Sequence, residues 1–154
     1  MAAATTIYNR LLEYFGGNAP APAQLLAADP EEMRAAAGLS RAKVTFLRSL
    51  AEHIESGELE VARLPELGDD ELIAELTAVK GLGVWTVHMF MIFELRRPDV
   101  LATGDLGVRR AVERAFGLPD LPAADELERM AEPWRPHRSA ACLLLWHSLR
   151  NAPA

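Results

Sequence analysis

The feature that most constrains this chain is the run Leu76-Thr77-Ala78-Val79-Lys80-Gly81-Leu82-Gly83-Val84-Trp85-Thr86. One apolar helical segment stops there and another starts, with only the tight turn Lys80-Gly81-Leu82-Gly83 between them. Glycine supplies the positive φ and the close backbone approach that such a turn needs. A plain helix–helix connection accounts for it. So does a phosphate-binding hairpin, because amides without side chains beside them can be approached closely. The start of the second helix adds unpaired N–H groups and the positive end of its dipole. Such a site holds a phosphate without any net positive charge.

The remainder reads as helix too. No period-2 alternation of β-branched residues is present, and Ala, Leu, Glu and Arg dominate. Ile7, Leu11, Leu12 and Phe15 predict a first amphipathic helix that stops at Gly16-Gly17, and Asn18 to Pro22 reads as a loop. Asp29-Pro30-Glu31-Glu32 starts a short helix that closes at Gly38. Ser40 caps the next, whose stripe Val44, Leu47, Leu50, Ala51 and Ile54 runs toward Gly57. Asp69 or Asp70 begins the helix leading into the hairpin, and an apolar helix follows from about Val84 to Leu95. Further helices are expected over Leu106–Phe116, Ala123–Glu132 and Pro136–Leu149. The class is all-α.

At 154 residues the chain can bury one core, or two small lobes. No apolar run approaches the ~18 residues of a membrane span, and the first residues lack a secretory signal, so a cytoplasmic address is expected. The single Cys142 excludes an iron–sulfur centre and a cysteine-rich zinc site. His53, His88, His137 and His147 show no metal-ligand spacing. The net charge of −6 speaks against a nucleic-acid partner when taken alone. Its distribution is uneven: nine acids against Arg63 between Glu52 and Glu75, but Arg135 to Arg150 carries arginines and no acid.

Two constellations could carry chemistry. Asp105, in Thr103-Gly104-Asp105-Leu106-Gly107, reads as a helix N-cap. A carboxylate at a helix mouth can equally stabilise developing positive charge or orient a water. Trp85 and Met89 are four apart on one helix face, a spacing that serves either a core or a pocket.

With these motifs in order, the chain resembles the helix-hairpin-helix base-excision DNA glycosylases, closest to the branch of bacterial 3-methyladenine DNA glycosylase II. The likeness rests on Val79 to Thr86, Asp99-Val100, Gly104-Asp105-Leu106-Gly107, Trp134-Arg135-Pro136-His137-Arg138-Ser139 and Leu145-Trp146, and spans about Tyr8 to Trp146. It implies a single domain over 1–154, with two small helical lobes and a cleft between, and the hairpin at 76–86. It implies catalysis by Asp105 and a base pocket of Trp85, Met89 and Trp146. DNA would be met by Lys80, Gly81, Leu82, Gly83 and Thr86, the amides of Gly81, Gly83 and Thr86 taking a phosphate of double-stranded DNA. The backbone carbonyls of Thr77, Val79 and Leu82 would coordinate Na+ or K+, and no other cofactor is required.

Relatives that also cut the strand place a lysine where this chain has Trp85, so a simple hydrolase is implied. Its expected substrates are alkylated purines such as 3-methyladenine and 7-methylguanine, whose cationic rings suit an indole pocket. The resemblance also expects one or two helices ahead of Thr6, so the chain reads as N-terminally shortened. A DNA-binding module without turnover, and a helical protein-interaction domain, are the alternatives this leaves.

Overall fold

The computed structural model of the chain describes residues 2–150, and every regular element among them is helical, with no strand. They divide into two compact units, the first running to Leu82 and the second from Gly83.

The first unit contains α1 (Ala2–Tyr14), α2 (Pro22–Ala27), α3 (Pro30–Ala37), α4 (Arg41–Glu55), a 3-10 turn (Val61–Glu66) and α5 (Asp69–Ala78). The caps are those that the residue types demand. Asp29 Oδ1 accepts from the N–H groups of Glu31 and Glu32 at 2.9 Å, and Ser40 Oγ accepts from Lys43 N at 3.2 Å. Gly38 closes α3 at φ 73°. α1 packs on α3 and α2 on α4, around Leu11, Leu25, Met33, Ala37, Leu39, Val44 and Ala51. Complete burial of a side chain such as Met33 contributes roughly 1.5–3 kcal/mol.

α2 was not foreseen. Its six residues follow the Asn18–Pro22 loop too closely to show a period, although Pro22 at its first position is itself a start signal. What holds it is tertiary: Arg48 on α4 donates through Nη1 to the carbonyls of Leu26 and Ala28 at 3.1 and 3.2 Å. A guanidinium thus closes the carbonyl end of a helix too short to persist alone.

The second unit contains α6 (Val84–Phe93), α7 (Leu106–Phe116), α8 (Ala124–Ala131), a 3-10 turn (Glu132–Trp134) and α9 (Arg138–Arg150), with α7 packed on α9. Two boundaries differ from expectation. α6 ends at Phe93 rather than Leu95, because Leu95 N turns back to Phe90 O at 3.1 Å and Arg96 takes φ 53°. α9 begins at Arg138 rather than Pro136, because its first N–H groups bond across the chain: Arg138 N to Asp99 Oδ1 at 3.4 Å and Ser139 N to Pro98 O at 3.0 Å. Among the described residues no helix is long and apolar enough to cross a membrane.

Candidate active site

The chemistry-bearing residues of the second unit gather where α6 and α7 begin and α9 passes. Gly83 is the N-cap of α6 and brings no side-chain cap, so the first turn keeps N–H groups without helical acceptors. A β-carbon at Gly83 would meet nothing within 4 Å, and Val84, Trp85 and Thr86 are all exposed. Trp85 leaves 49% of its surface open, yet its indole N–H is engaged: Nε1 donates to Asp105 Oδ2 at 2.8 Å. Met89 follows one turn on, half-buried.

Asp105 serves as the N-cap that its sequence promised, Oδ1 accepting from Val108 N at 2.8 Å. That bond does not exhaust it. Oδ1 also accepts from Trp146 Nε1 on α9 at 2.7 Å, while Trp85 takes the other oxygen. The cap and the candidate catalytic group are therefore one carboxylate. Burial alone would push its pKa up, but the donors Trp146, Trp85, Val108 N and Gly107 N together outweigh burial and hold it below the ordinary carboxylate range. At neutral pH the group is a fixed anion between two indoles.

Two residues that the sequence reading did not single out shape this arrangement. Phe93 stacks on Trp146, ring centroids 5.7 Å apart and planes 21° apart, with half of its own surface open. The spacing Trp85, Met89, Phe93 was the available signal, each four residues from the last. Gly107 carries no β-carbon at a point where one would lie 2.9 Å from Asp105 Oδ1 and 3.0 Å from Trp146 Cδ1. A glycine inside the first turn of a helix was the clue.

Arg138 and Ser139, at the end of the run that carries part of the likeness, are engaged within the protein. Arg138 makes a forked contact with Asp99, Nε to Oδ1 at 2.6 Å and Nη2 to Oδ2 at 3.0 Å, and Nη2 also reaches the Asp99 carbonyl at 2.8 Å. Arg135 joins the same carboxylate at 2.7 Å. The side-chain hydrogen bond from Arg138, against the opposing effect of burial, holds the Asp99 carboxyl below its usual range. Buried Ser139 donates through Oγ to Arg97 O at 2.6 Å and accepts from Val100 N at 2.9 Å. These bonds tie the start of α9 to the 97–100 segment, five residues ahead of Asp105. Arg109, one turn beyond Asp105, donates to Pro122 O at 2.8 Å.

The first half of the hairpin belongs to the first unit. Gly81 has φ 97°, and a β-carbon there would fall onto the ring and β-carbon of Phe46. The space beside Gly81 is thus filled from within the protein, and the open approach expected at both glycines exists at Gly83. Leu82 lines an apolar groove of about 300 Å³ with residues of α1 and α4, and its N–H donates to Val79 O at 3.1 Å. Lys80 is exposed, Val79 buried and Thr77 half-buried in the last turn of α5. Among the described residues no three His, Cys, Asp or Glu side chains cluster as a metal site.

Comparison with known proteins bears on the fold and the family. The family model described as HhH-GPD superfamily base excision DNA repair protein matches residues 1–136. DNA-3-methyladenine glycosylase 1 of Schizosaccharomyces pombe is 37% identical over 152 residues, covering 97% of this chain and 66% of that protein. A putative DNA-3-methyladenine glycosylase of Bacillus subtilis is 30% identical over 152 residues, covering 95% of this chain and 53% of its own length. Among solved structures, the Schizosaccharomyces pombe 3-methyladenine DNA glycosylase in complex with abasic DNA superposes with a TM-score of 0.90 at 36% identity, over 98% of this chain and 74% of the other. The all-helical fold and the extent of the match place this chain in the HhH-GPD superfamily of base excision DNA repair proteins. It spans about half to two thirds of the length of those two curated relatives.

Proposed function

We propose that this chain is a monofunctional DNA glycosylase that hydrolyses the N-glycosidic bond of alkylated purines, 3-methyladenine and 7-methylguanine, in double-stranded DNA. The observation that carries the reading is the Asp105 carboxylate, kept ionised at the mouth of α7 between the indoles of Trp85 and Trp146. Departure of the base takes the electron pair of the C1′–N bond with it and leaves positive charge on the sugar. A fixed anion beside C1′ lowers the energy of that charge more than it lowers the ground state. Water then bonds to C1′ and releases its proton to solvent. Because its donors favour the ionised form, Asp105 serves this step better as an electrostatic partner than as a proton acceptor.

The flipped base would lie against Trp85 and Trp146, with Met89 at the side. An alkylated purine is cationic, and an indole face attracts a cation by about 0.5–2 kcal/mol. Its glycosidic bond is already weakened by that charge, so a stacking pocket and one carboxylate suffice. No amine stands at position 85, so no Schiff base with the sugar would form and the strand would stay intact. The uncapped start of α6 supports backbone recognition, with the amides of Gly83 and Thr86 on a phosphate and Gly81 and Lys80 extending the contact.

A Na+ or K+ ion on the carbonyls of Thr77, Val79 and Leu82 fits a helix C-terminus, whose dipole favours a cation. Val79 O keeps a lone pair beyond its bond to Leu82 N. Such an ion would neutralise the carbonyl end of α5.

The test is base release from methylated duplex DNA. Wild type should free 3-methyladenine and leave strands unbroken until alkali cleaves the abasic site. Asp105→Asn should be slower by about a hundredfold or more. Borohydride trapping of a protein–DNA adduct would refute the assignment of Trp85, and undiminished release by Asp105→Asn would refute that of Asp105.

A further inference from the structure

We propose that Trp85, Trp146 and Gly107 form a positioning lock on Asp105: the two indole N–H groups fix the rotation of the carboxylate, and the missing side chain at 107 lets Trp146 reach it. The proposal rests on Asp105 being the catalytic group, and adds to the stacking role of the two indoles a second one that stacking does not require.

A carboxylate that only caps a helix is anchored through one oxygen, here by Val108 N on Oδ1 at 2.8 Å. Its other oxygen remains free to swing about the terminal torsion, which is broad for aspartate. In this chain Oδ2 is held by Trp85 Nε1 at 2.8 Å, and Oδ1 receives a second donor, Trp146 Nε1, at 2.7 Å. The donors come from α6 and α9, so two further helices set the carboxylate's orientation relative to α7. Both indoles are edge-on to the carboxylate through their N–H.

Gly107 makes the approach of Trp146 possible. A β-carbon at 107 would crowd Asp105 Oδ1 at 2.9 Å, Trp146 Cδ1 at 3.0 Å and Trp146 Nε1 at 3.2 Å. Trp146 is backed by the stacked ring of Phe93, so the carboxylate or the hydrogen bond must yield. Gly107 does not have a positive φ and lies within the first turn of α7. On conformational grounds alone alanine there is favourable. Conformation therefore does not call for glycine at 107; what excludes a side chain there is the crowding of Asp105 Oδ1 and Trp146.

The experiment compares wild type, Trp85→Phe, Trp146→Phe, Gly107→Ala and the double variant Gly107→Ala/Trp146→Phe. Phenylalanine keeps an aromatic face and removes the N–H. Two readouts are taken: single-turnover base release and binding of methylated duplex across pH, and NMR titration of the Asp105 carboxyl carbon and indole N–H signals without DNA. A hydrogen bond to a charged group is worth about tenfold in rate at the low end, so each single variant should slow single-turnover release by about that factor when the duplex is fully bound. The acid limb of the rate and the Asp105 titration should both move to higher pH, since each lost donor had favoured the ionised form. The double variant should be little worse than either parent, because Gly107 acts through Trp146.

Unchanged titration of Asp105 in all variants would overturn the lock, whatever the activity. So would losses confined to DNA affinity, which mean that the indoles serve only as stacking surfaces. Wild type that shows the NMR coupling yet releases no base would instead refute the glycosylase reading and leave the lock standing.

Discussion

Gly81→Ala is the substitution whose cost the structure explains most fully. The backbone at 81 has φ 97°, a region in which a β-carbon costs an L-residue about 1–2 kcal/mol. Separately, the added carbon would fall onto Phe46, against its β-carbon as well as its ring. Contact so near the root of a side chain cannot be relieved by a rotamer change, so overpacking adds about 1–3 kcal/mol. The total, about 2–5 kcal/mol, is a large part of the roughly 5–15 kcal/mol that holds a domain together. Removing the obstacle separates the two contributions. In a Phe46→Ala background Gly81→Ala should cost only the conformational part, leaving a coupling of about 1–3 kcal/mol. Urea unfolding of wild type, both single variants and the double variant measures it. If Gly81→Ala costs the same in both backgrounds, Phe46 is not a reason for the glycine, and its positive φ alone accounts for the cost.

Two further outcomes follow from the anchoring of α9. Ser139→Ala leaves the buried Val100 N–H without the Ser139 hydroxyl, which should cost about 1–3 kcal/mol and lower Tm by about 2–12 °C; faster hydrogen exchange at Val100 should accompany it, and a loss well under about 1 kcal/mol would contradict the assignment. The Asp99 carboxyl sits below its ordinary range in the folded state, chiefly through the Arg138 hydrogen bond, so its contribution is complete above roughly pH 4 and fades as pH falls through the lower folded value. Urea unfolding should therefore show a stability gap between wild type and Asp99→Asn that narrows on acidification below that point, and a gap independent of pH would refute the pairing.

Much of the fold was legible in the residues. Helix starts at Asp29-Pro30, Ser40 and Asp105 were readable because a cap is a local event, a side-chain oxygen meeting an N–H two or three residues on. α2 and the start of α9 were not, because their ends are closed from elsewhere in the chain, by Arg48 and by the Pro98–Asp99 segment. For the same reason the Trp-Arg-Pro-His-Arg-Ser run gave up its role only in three dimensions, where Arg138 clasps a carboxylate 39 residues away.

The sequence by itself determined that the chain is helical, that it turns on a glycine hairpin, that it lacks an amine at position 85 and that Asp105 caps a helix. Each follows from short-range stereochemistry or from the mere presence of a functional group. Tertiary structure alone decided what the Asp105 carboxylate faces, why glycine stands at 81 and 107, and which arginines are already engaged. Those properties depend on which atoms occupy the neighbouring few ångströms, and at Asp105 the deciding neighbours come from residues 20 and 41 positions distant, whose approach no local pattern encodes.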